Sequence, residues 1–416
     1  MTDFSTSDPA ILGGKPICRG QYPSWPIWND LERSRLAETL ESGHWWDGDG
    51  QRAKRFARDF AAFQNAAYGL PMSNGTQTLE AALTACQIGL GDEVIVPAMT
   101  FIASASAVMA VNAAPIIVDI DPETLCIDVA AAEAAITDRT RAIIAVHVAG
   151  AAADLDALTE LCSRRKLHLI EDCAHAHGTV WRGRGAGAWG TFGSFSMQAS
   201  KLMTAGEGGV LTCNDARLRD LAWSYANCGR EAGAWFYHHP RYGSNLRMTE
   251  WQGAVLSAQL ERFPEQNRTR NRNAVALGEA LSTIEGTSPQ RRDPRMDSQG
   301  SYCFVFHYDS AAFGGLGLRM FERALNAEGV PMSVSYPSLN ELEIFRTQNF
   351  GRRFAGSCSA IDYRFLNLPR AQHAAASTVW LQHRLLLGSQ EAALDVALAV
   401  RRIQKHAKRI AAAVSA

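Results

Sequence analysis

The sequence predicts an α/β fold, in which a large and mostly parallel β-sheet is covered by helices. Short apolar runs typical of buried strands occur at residues 68–72, 93–97, 115–119, 142–147 and 167–171. Helix-length segments separate these runs, and this alternation is typical of a parallel sheet. From about residue 266 the pattern becomes α+β, which predicts a smaller C-terminal domain. We therefore expect two domains, at residues 1–265 and 266–416.

The composition is that of an ordinary globular protein. Hydrophobic residues make up 47% of the 416 residues, and charged residues make up 20%. The net charge is -1, from 41 basic and 42 acidic residues, so the chain has no positive field that would attract nucleic acid or an anionic membrane. Nine scattered cysteines without a C-x-x-C pair argue against a disulfide framework and a structural zinc site. With no signal peptide in view, we expect a soluble, cytoplasmic protein.

The N-terminal segment is rich in glycine and proline and predicts an arm that lies over the surface. Two helical segments follow, at residues 29–42 and 52–63, and the loop between them carries Trp45 and Trp46 among glycines and aspartates. This loop could be a packing plug between the domains or one wall of a pocket for a polar ligand. In the C-terminal part, residues 332–336 have the pattern of a strand.

A small polar turn at residues 73–76 follows the first strand and opens a helical segment. Such a turn can bind an anion, because free backbone N–H groups and the helix dipole point at it. The same residues could form a plain helix cap, which is commoner in general. We favour the phosphate interpretation because of the motifs that follow.

Several chemically capable residues come directly after strand-like runs. They are Ser73, Phe101, His147, Asp172 and Lys201. In parallel sheets, ligands gather at the carboxyl ends of the strands. We therefore expect these residues to converge at one edge of the sheet.

Lys201 lies in a loop of small residues, with a glycine-rich turn directly behind it. A lysine amine has a reference pKa of about 10.4 and is mostly protonated at neutral pH. It becomes a nucleophile only where desolvation or nearby charge lowers its pKa. We hypothesise that the upstream residues form a pocket in which Lys201 holds a carbonyl cofactor as a Schiff base.

A second chemical motif covers residues 171–178, where an apolar strand ends in two acids followed by two histidines. Carboxylate and imidazole together could bind zinc, although no further spaced set of ligands accompanies them. Alternatively, Asp172 is a buried carboxylate that pairs with a cationic ring nitrogen. An aspartate and a lysine in this combination are what a pyridoxal phosphate enzyme requires.

The order of the motifs resembles the DegT/StrS-type sugar aminotransferases, which are fold-type I pyridoxal phosphate enzymes. The motifs that carry the resemblance are residues 73–76, 97–101, 171–178, 194–209 and 243–248. The similarity extends from about residue 12 to the last helix. It implies that Lys201 binds the cofactor covalently and that Asp172 is the partner of the pyridine nitrogen.

The resemblance also implies the rest of the cofactor site. Phe101 stacks on the ring, and Gly75, Thr76 and Ser196 hold the phosphate. Asn245 reaches the phosphate of the neighbouring subunit, so the expected functional unit is a homodimer with shared active sites.

His175 departs from the commonest family pattern, in which a glutamine faces the ring hydroxyl of the cofactor. Histidine there, the two tryptophans and residues 379–388 are similar to the subgroup that aminates cyclitols and to the aminohydroxybenzoate synthases. That subgroup typically draws its amine from L-glutamine. Candidates for substrate contact are Trp46, Arg230, His239 and Tyr336.

The resemblance therefore implies an aminotransferase that moves an amino group from L-glutamine or L-glutamate to a keto-cyclitol or keto-sugar, in aminocyclitol or amino-sugar biosynthesis. An alternative is a dehydratase or lyase of the aminohydroxybenzoate synthase kind. A non-catalytic cofactor-binding regulator is disfavoured because Lys201 and Asp172 are both present. The family's sugar dehydratases replace the lysine with histidine, so Lys201 disfavours them too.

Overall fold

Apolar strands and amphipathic helices alternate through the first half of the chain, as their sequence periods predict. The computed structural model describes residues 7–18, 20, 22–351 and 361–415. The α-helices within these residues are α1 (Asp30–Ser42), α2 (Arg52–Phe63), α3 (Gly75–Ala85), α4 (Ala103–Ala110), α5 (Val129–Ala134), α6 (Leu155–Arg165), α7 (Ala216–Ala226), α8 (Glu250–Ser282), α9 (Leu318–Ala327), α10 (Glu343–Thr347), α11 (Pro369–Ser377) and α12 (Gln390–Ser415). Short 3-10 helices lie at Ala10–Leu12, Val148–Gly150, Ser310–Phe313, Leu339–Glu341, Tyr363–Phe365 and His383–Leu387.

The strands form one large and two small sheets. The strands are β1 (Tyr68–Met72), β2 (Glu93–Pro97), β3 (Ala114–Val118), β4 (Thr140–Val146), β5 (His168–Asp172), β6 (Val180–Trp181), β7 (Arg184–Gly185), β8 (Phe192–Ser196), β9 (Gly209–Cys213), β10 (Thr287–Pro289), β11 (Met296–Ser298), β12 (Cys303–Tyr308) and β13 (Thr378–Gln382). The large sheet has seven strands in the order β1-β9-β8-β5-β4-β2-β3.

Every pairing in the large sheet from β8 to β3 is parallel, whereas β9 runs antiparallel to both of its neighbours. The reason is the connection, since a parallel return needs a long crossover and the loop between Ser196 and Gly209 contains no helix. The strands are almost entirely buried, which is typical of a sheet covered on both faces. The predicted α/β class and its mostly parallel sheet are confirmed.

The C-terminal part forms a lobe around a three-stranded antiparallel sheet, in the order β10-β12-β13. Its core contains stacked aromatic rings such as Tyr308 and Phe321, whose centroids lie 4.2 Å apart. Strand β11 leaves this lobe and pairs with β6. The expected boundary between residues 265 and 266 lies inside the 33-residue helix α8, and the two-domain division stays a prediction.

Residues 332–336 do not form the strand that their pattern predicts. Met332 makes one isolated bridge with Leu381, and the N–H of Ser333 donates to the carbonyl oxygen of Trp380 at 2.8 Å. Pro331 and Pro337 flank the segment and have no backbone N–H to extend a ladder. The segment therefore lies beside β13 as an irregular strap, and this strap borders the site described next.

The described helices include none that is long and apolar enough to cross a bilayer. Helices α8 and α12 have sufficient length, but charged residues recur along both of them.

Candidate active site

A cavity of about 790 Å³ lies at the carboxyl ends of the central strands. Phe101 enters it after β2, Val146 at the end of β4, Asp172 at the end of β5 and Ser196 at the end of β8. The C-terminal lobe closes another side of the cavity; its lining residues are Tyr302, Cys303, Ser333, Val334, Tyr336 and Trp380. The volume is in the range of small-molecule and cofactor pockets.

The expected convergence at the sheet edge is therefore partly realised. Phe101, Asp172 and Lys201 line the cavity, whereas Ser73 and His147 do not. The side chain of Ser73 turns away to Gln77, with which it forms a hydrogen bond.

The N-terminus of α3 faces the cavity through Gly75 and Thr76. Asn74 is the N-cap, and its Oδ1 accepts from the N–H of Gln77 at 2.9 Å. The first N–H groups of the helix have no partner within it and carry the positive end of the helix dipole. A Cβ atom at Gly75 would lie 2.7 Å from the Cβ of Ser196, so glycine permits the close approach of helix and strand. Sequence reasoning left a cap or an anion site open, and the geometry shows a capped helix that opens onto the cavity.

Asp172 is 7% exposed and is held by hydrogen bonds to both carboxylate oxygens. Its Oδ2 accepts from Ser104 Oγ at 2.8 Å, and its Oδ1 accepts from the N–H of Ala174 at 3.2 Å. Ser104 is itself buried and lies 2.7 Å from Thr100 Oγ1. The carboxylate is thus fixed at the floor of the cavity.

Lys201 is the only lysine or arginine among the described residues that line the cavity. Its backbone N–H donates to the carbonyl oxygen of Gln198 at 2.8 Å, which forms a tight turn after β8. Burial lowers the pKa of Lys201 from 10.5 to about 8, and the negative charge of Asp172 opposes part of that shift. About a tenth of the amine is therefore neutral at pH 7, far more than for an ordinary lysine.

His175 has a defined tautomer. Its Nδ1 accepts from the N–H of Ala149 at 3.2 Å, which places the proton on Nε2, 3.0 Å from the hydroxyl of Tyr336. The imidazole stacks on Tyr302, with 4.0 Å between centroids, and lies nearly parallel to Tyr336, at 5.8 Å. Burial lowers the pKa of His175 well below 6.5, so the ring is neutral.

Four of the predicted site residues lie outside the cavity of a single chain. Asn245 is exposed and forms an isolated bridge with Asn227. Arg230 Nε donates to the carbonyl oxygen of Phe236 at 3.0 Å, and His239 Nδ1 donates to that of Cys228 at 2.8 Å. The fourth is Trp46, 45% exposed on the loop between α1 and α2. Tyr336 is the one substrate candidate that lines the cavity.

One cluster has the residue types of a metal site, although it is not the pair of acids and pair of histidines that residues 171–178 suggested. In the described part of the chain, His147, Glu171 and Cys173 place potential ligand atoms within 4.8 Å of one another. The carboxylate of Glu171, however, already accepts from three backbone N–H groups and from His147 Nε2; the backbone donors are Gly187, Trp189 and Gly190. His147 Nδ1 accepts from the N–H of Ala153. This group is a saturated hydrogen-bond network that anchors residues 187–190.

Sequence reasoning missed two residues of the site. Ser104 orients Asp172, and Tyr302 contacts both His175 and Lys201, with its ring centroid 4.4 Å from Lys201 Nζ. No local signal identifies either residue, since Ser104 lies in a run of small helical residues and Tyr302 precedes an ordinary strand. Their roles depend on contacts across 68 and 101 positions of the chain.

A parallel sheet with covering helices, together with a buried lysine and a carboxylate in one cavity, is the arrangement that a pyridoxal phosphate-dependent enzyme requires. Comparison with known proteins identifies the family. The DegT/DnrJ/EryC1/StrS aminotransferase family matches residues 27–380, and the chain belongs to it.

Named relatives are similar over nearly their whole length. The L-glutamine:2-deoxy-scyllo-inosose aminotransferase of Micromonospora echinospora is 38% identical, over 95% of this chain and 97% of that protein. The L-glutamine:scyllo-inosose aminotransferase of Streptomyces griseus is 38% identical, over 96% and 98%. The crystal structure of 3-amino-5-hydroxybenzoic acid synthase is 35% identical, covers 92% of this chain and 98% of its own, and has a TM-score of 0.83.

Proposed function

We propose that this aminotransferase moves an amino group from L-glutamine or L-glutamate to a keto-cyclitol or keto-sugar, in aminocyclitol or amino-sugar biosynthesis. The observation that carries the proposal is one buried lysine of lowered pKa in the same cavity as the fixed carboxylate of Asp172. The names of the relatives support L-glutamine as donor and a keto-inositol as acceptor.

The cavity fits pyridoxal 5'-phosphate. Gly75 and Thr76 at the N-terminus of α3, with Ser196, supply donors for a phosphate. Asp172 would pair with the pyridine nitrogen, and Phe101, at the mouth of the cavity, would cover the ring face. When bound, the cofactor supplies a protonated ring that accepts the electron pair released at the carbon next to the amine.

Three side chains of the cavity have distinct roles in the reaction. Lys201, when neutral, takes the proton from the carbon next to the donor nitrogen. It would then give this proton to the carbon on the other side of that nitrogen. Asp172 would place its carboxylate beside the ring nitrogen, and Ser104 holds that carboxylate in position. Neutral His175, with its proton on Nε2, offers a hydrogen bond without adding charge.

The lining of the cavity also suits a polyhydroxylated acceptor. Amide, hydroxyl and carboxylate groups face it from Gln77, Glu80, Gln198, Ser333 and Tyr336. Such side chains exchange hydrogen bonds with ring hydroxyls of a sugar or cyclitol. Of the four substrate candidates, we assign Tyr336 to the same chain and Trp46, Arg230 and His239 to contacts made across a dimer.

We further propose a homodimer with shared active sites. The α-carboxylate of an amino acid donor needs a cation, yet the described lining offers only Lys201, which is engaged in chemistry. Near Asn245, the loop at residues 230–243 exposes Trp235 (72%), Tyr237 (66%) and Tyr242 (81%), an aromatic surface typical of a protein interface. A second copy covering this surface would bring Asn245 and Arg230 to its neighbour's cavity.

Two broader expectations accompany this proposal. The eight described cysteines are all free, which supports a reducing cytoplasm as the location.

The division into a large domain at residues 1–265 and a small one at 266–416 is supported by the separate aromatic core of the C-terminal lobe.

A dehydratase or lyase of the aminohydroxybenzoate synthase kind is the second candidate. The TM-score of 0.83 to 3-amino-5-hydroxybenzoic acid synthase favours keeping it. The two functions differ in their product, since one yields an amine and a keto acid and the other loses water and forms an aromatic ring.

The deciding experiment incubates the purified protein and pyridoxal phosphate with L-glutamine, then with a panel of keto-cyclitols and nucleotide keto-sugars. We expect the visible absorption band to be lost with glutamine and an amine product to be detected by mass. Lys201→Ala is expected to abolish both the band and turnover. Full activity of that variant, or loss of water from a cyclic acid without amine transfer, would contradict the aminotransferase proposal.

The shared site is tested by mixing two impaired variants, Lys201→Ala and Asn245→Ala. In a shared site, a mixed dimer contains one cavity without either substitution, so activity returns after subunit exchange. If Asn245 acts only within its own chain, the mixture stays as inactive as its components.

A further inference from the structure

The amine of Lys201 lies against the face of an aromatic ring. Its Nζ is 4.4 Å from the ring centroid of Tyr302. Among the described residues this amine forms no hydrogen bond or ion pair, and the aromatic face lies directly against it. An aromatic face attracts an ammonium group because the ring quadrupole is negative there.

Tyr302 is itself fixed from three directions. Its hydroxyl lies 2.9 Å from Ser200 Oγ, on the residue next to Lys201, and Ser200 Oγ donates to Gln198 Oε1 at 2.8 Å. Its ring stacks on His175, with 4.0 Å between centroids and 19° between planes. The imidazole of His383 lies 6.1 Å from the ring, with 28° between planes. The ring therefore has little freedom to follow the lysine or to leave it.

The charges that face Lys201 come from several elements. Asp172, at the end of β5, favours the ammonium form, and burial disfavours it. His175 and His177, in the loop after β5, are neutral because burial lowers the pKa of each. Cys303, at the start of β12, is a neutral thiol because burial raises its pKa to about 12. Of these groups, Asp172 alone carries a full charge. The ring of Tyr302 therefore lies beside the amine as an uncharged group.

We propose that Tyr302 is a positioning residue, which holds the ammonium form of free Lys201 on its ring face between the two half-reactions. The inference rests on the proposed aminotransferase function, in which Lys201 must be released and then return. The ring attracts the protonated amine and not the neutral one. Loss of that proton to solvent, which makes Lys201 the neutral base for the second half-reaction, therefore also releases the lysine from the ring, and no hydrogen bond has to be broken.

The test compares three chains loaded with pyridoxamine phosphate, a form that leaves Lys201 free and requires no turnover. They are the wild type, Tyr302→Met, which removes the ring but keeps bulk, and Tyr302→Phe, which keeps the ring and removes the hydroxyl. The pH dependence of acylation by acetic anhydride, read by mass on the peptide containing Lys201, reports the pKa of the lysine.

We expect the pKa of Lys201 to be lower by roughly half a pH unit in Tyr302→Met than in the wild type, and to keep the wild-type value in Tyr302→Phe. A wild-type value in Tyr302→Met overturns the proposal, as does a shift in Tyr302→Phe equal to that in Tyr302→Met. If Tyr302→Met does not fold, fluorinated phenylalanines at this position preserve the ring while withdrawing its electron density. The pKa of Lys201 must then fall with each added fluorine, and an unchanged pKa overturns the proposal.

The labelling also separates this inference from the proposed function. A wild type that shows no reaction with amino donors or ketones refutes the proposed function, while the pKa comparison still reports the contact between Lys201 and Tyr302.

Discussion

At the scale of single residues, Lys201 differs from a surface lysine mainly in how readily its ammonium group loses a proton. Burial lowers its pKa to about 8, and Asp172 opposes part of that shift. The neutral amine is the form that attacks a carbonyl. Its fraction rises about tenfold per pH unit below the pKa and is constant above it.

We therefore expect cofactor-free protein to capture pyridoxal phosphate at a rate that rises with pH up to about 8 and then levels off. Stopped-flow growth of the visible band measures this rate. In Asp172→Asn the plateau should begin at a lower pH, because the charge that favours the ammonium form is removed. A wild-type rate that keeps rising to pH 10 would show that the lysine has an ordinary pKa.

At the scale of elements, the site depends on the close approach of α3 to β8. A Cβ atom at Gly75 would meet the Cβ of Ser196 at 2.7 Å, and Ser196 is a buried residue at the end of β8. We expect Gly75→Ala to displace the helix N-terminus and to weaken pyridoxal phosphate binding by at least about tenfold, or roughly 1.4 kcal/mol. Fluorescence titration measures the affinity.

The matched control is Gly278→Ala near the C-terminal end of α8, where a Cβ atom would lie 3.8 Å from Pro289, an ordinary contact. This variant should bind the cofactor as the wild type does and be slightly more stable, since alanine favours a helix. Equal affinities for the two variants would argue against the N-terminus of α3 as the phosphate site.

The elements also explain which parts of the site were predictable from sequence. Phe101, Asp172 and Lys201 follow apolar strands, and the carboxyl ends of parallel strands meet at one edge, so local pattern and topology together locate them. Tyr302 and Ser104 act through contacts between distant segments, which local periodicity does not encode. The strand expected at residues 332–336 was wrong because flanking prolines limit its pairing.

At the scale of the whole molecule, folding buries histidines that an unfolded chain leaves in water. His177 is fully buried among aromatic rings, with centroids 5.5 Å from Phe195 and 5.9 Å from Phe60. Burial is the main reason that its pKa falls from 6.5 to about 3, and the positive charge of Lys201 adds to the effect. The folded protein thus resists taking up a proton that the unfolded chain accepts.

Between about pH 6.5 and pH 3 the unfolded state binds more protons at this position, so the free energy of unfolding falls as the pH falls. The slope from His177 alone approaches about 1.4 kcal/mol per pH unit within that window. His177→Phe, which suits the surrounding rings, should flatten the decline by up to that amount, whereas His373→Phe, at an exposed position on α11, should not. Equilibrium urea unfolding of the three chains at pH 7, 6 and 5 measures the difference, and identical slopes for wild type and His177→Phe would show that folding does not lower the pKa of this histidine.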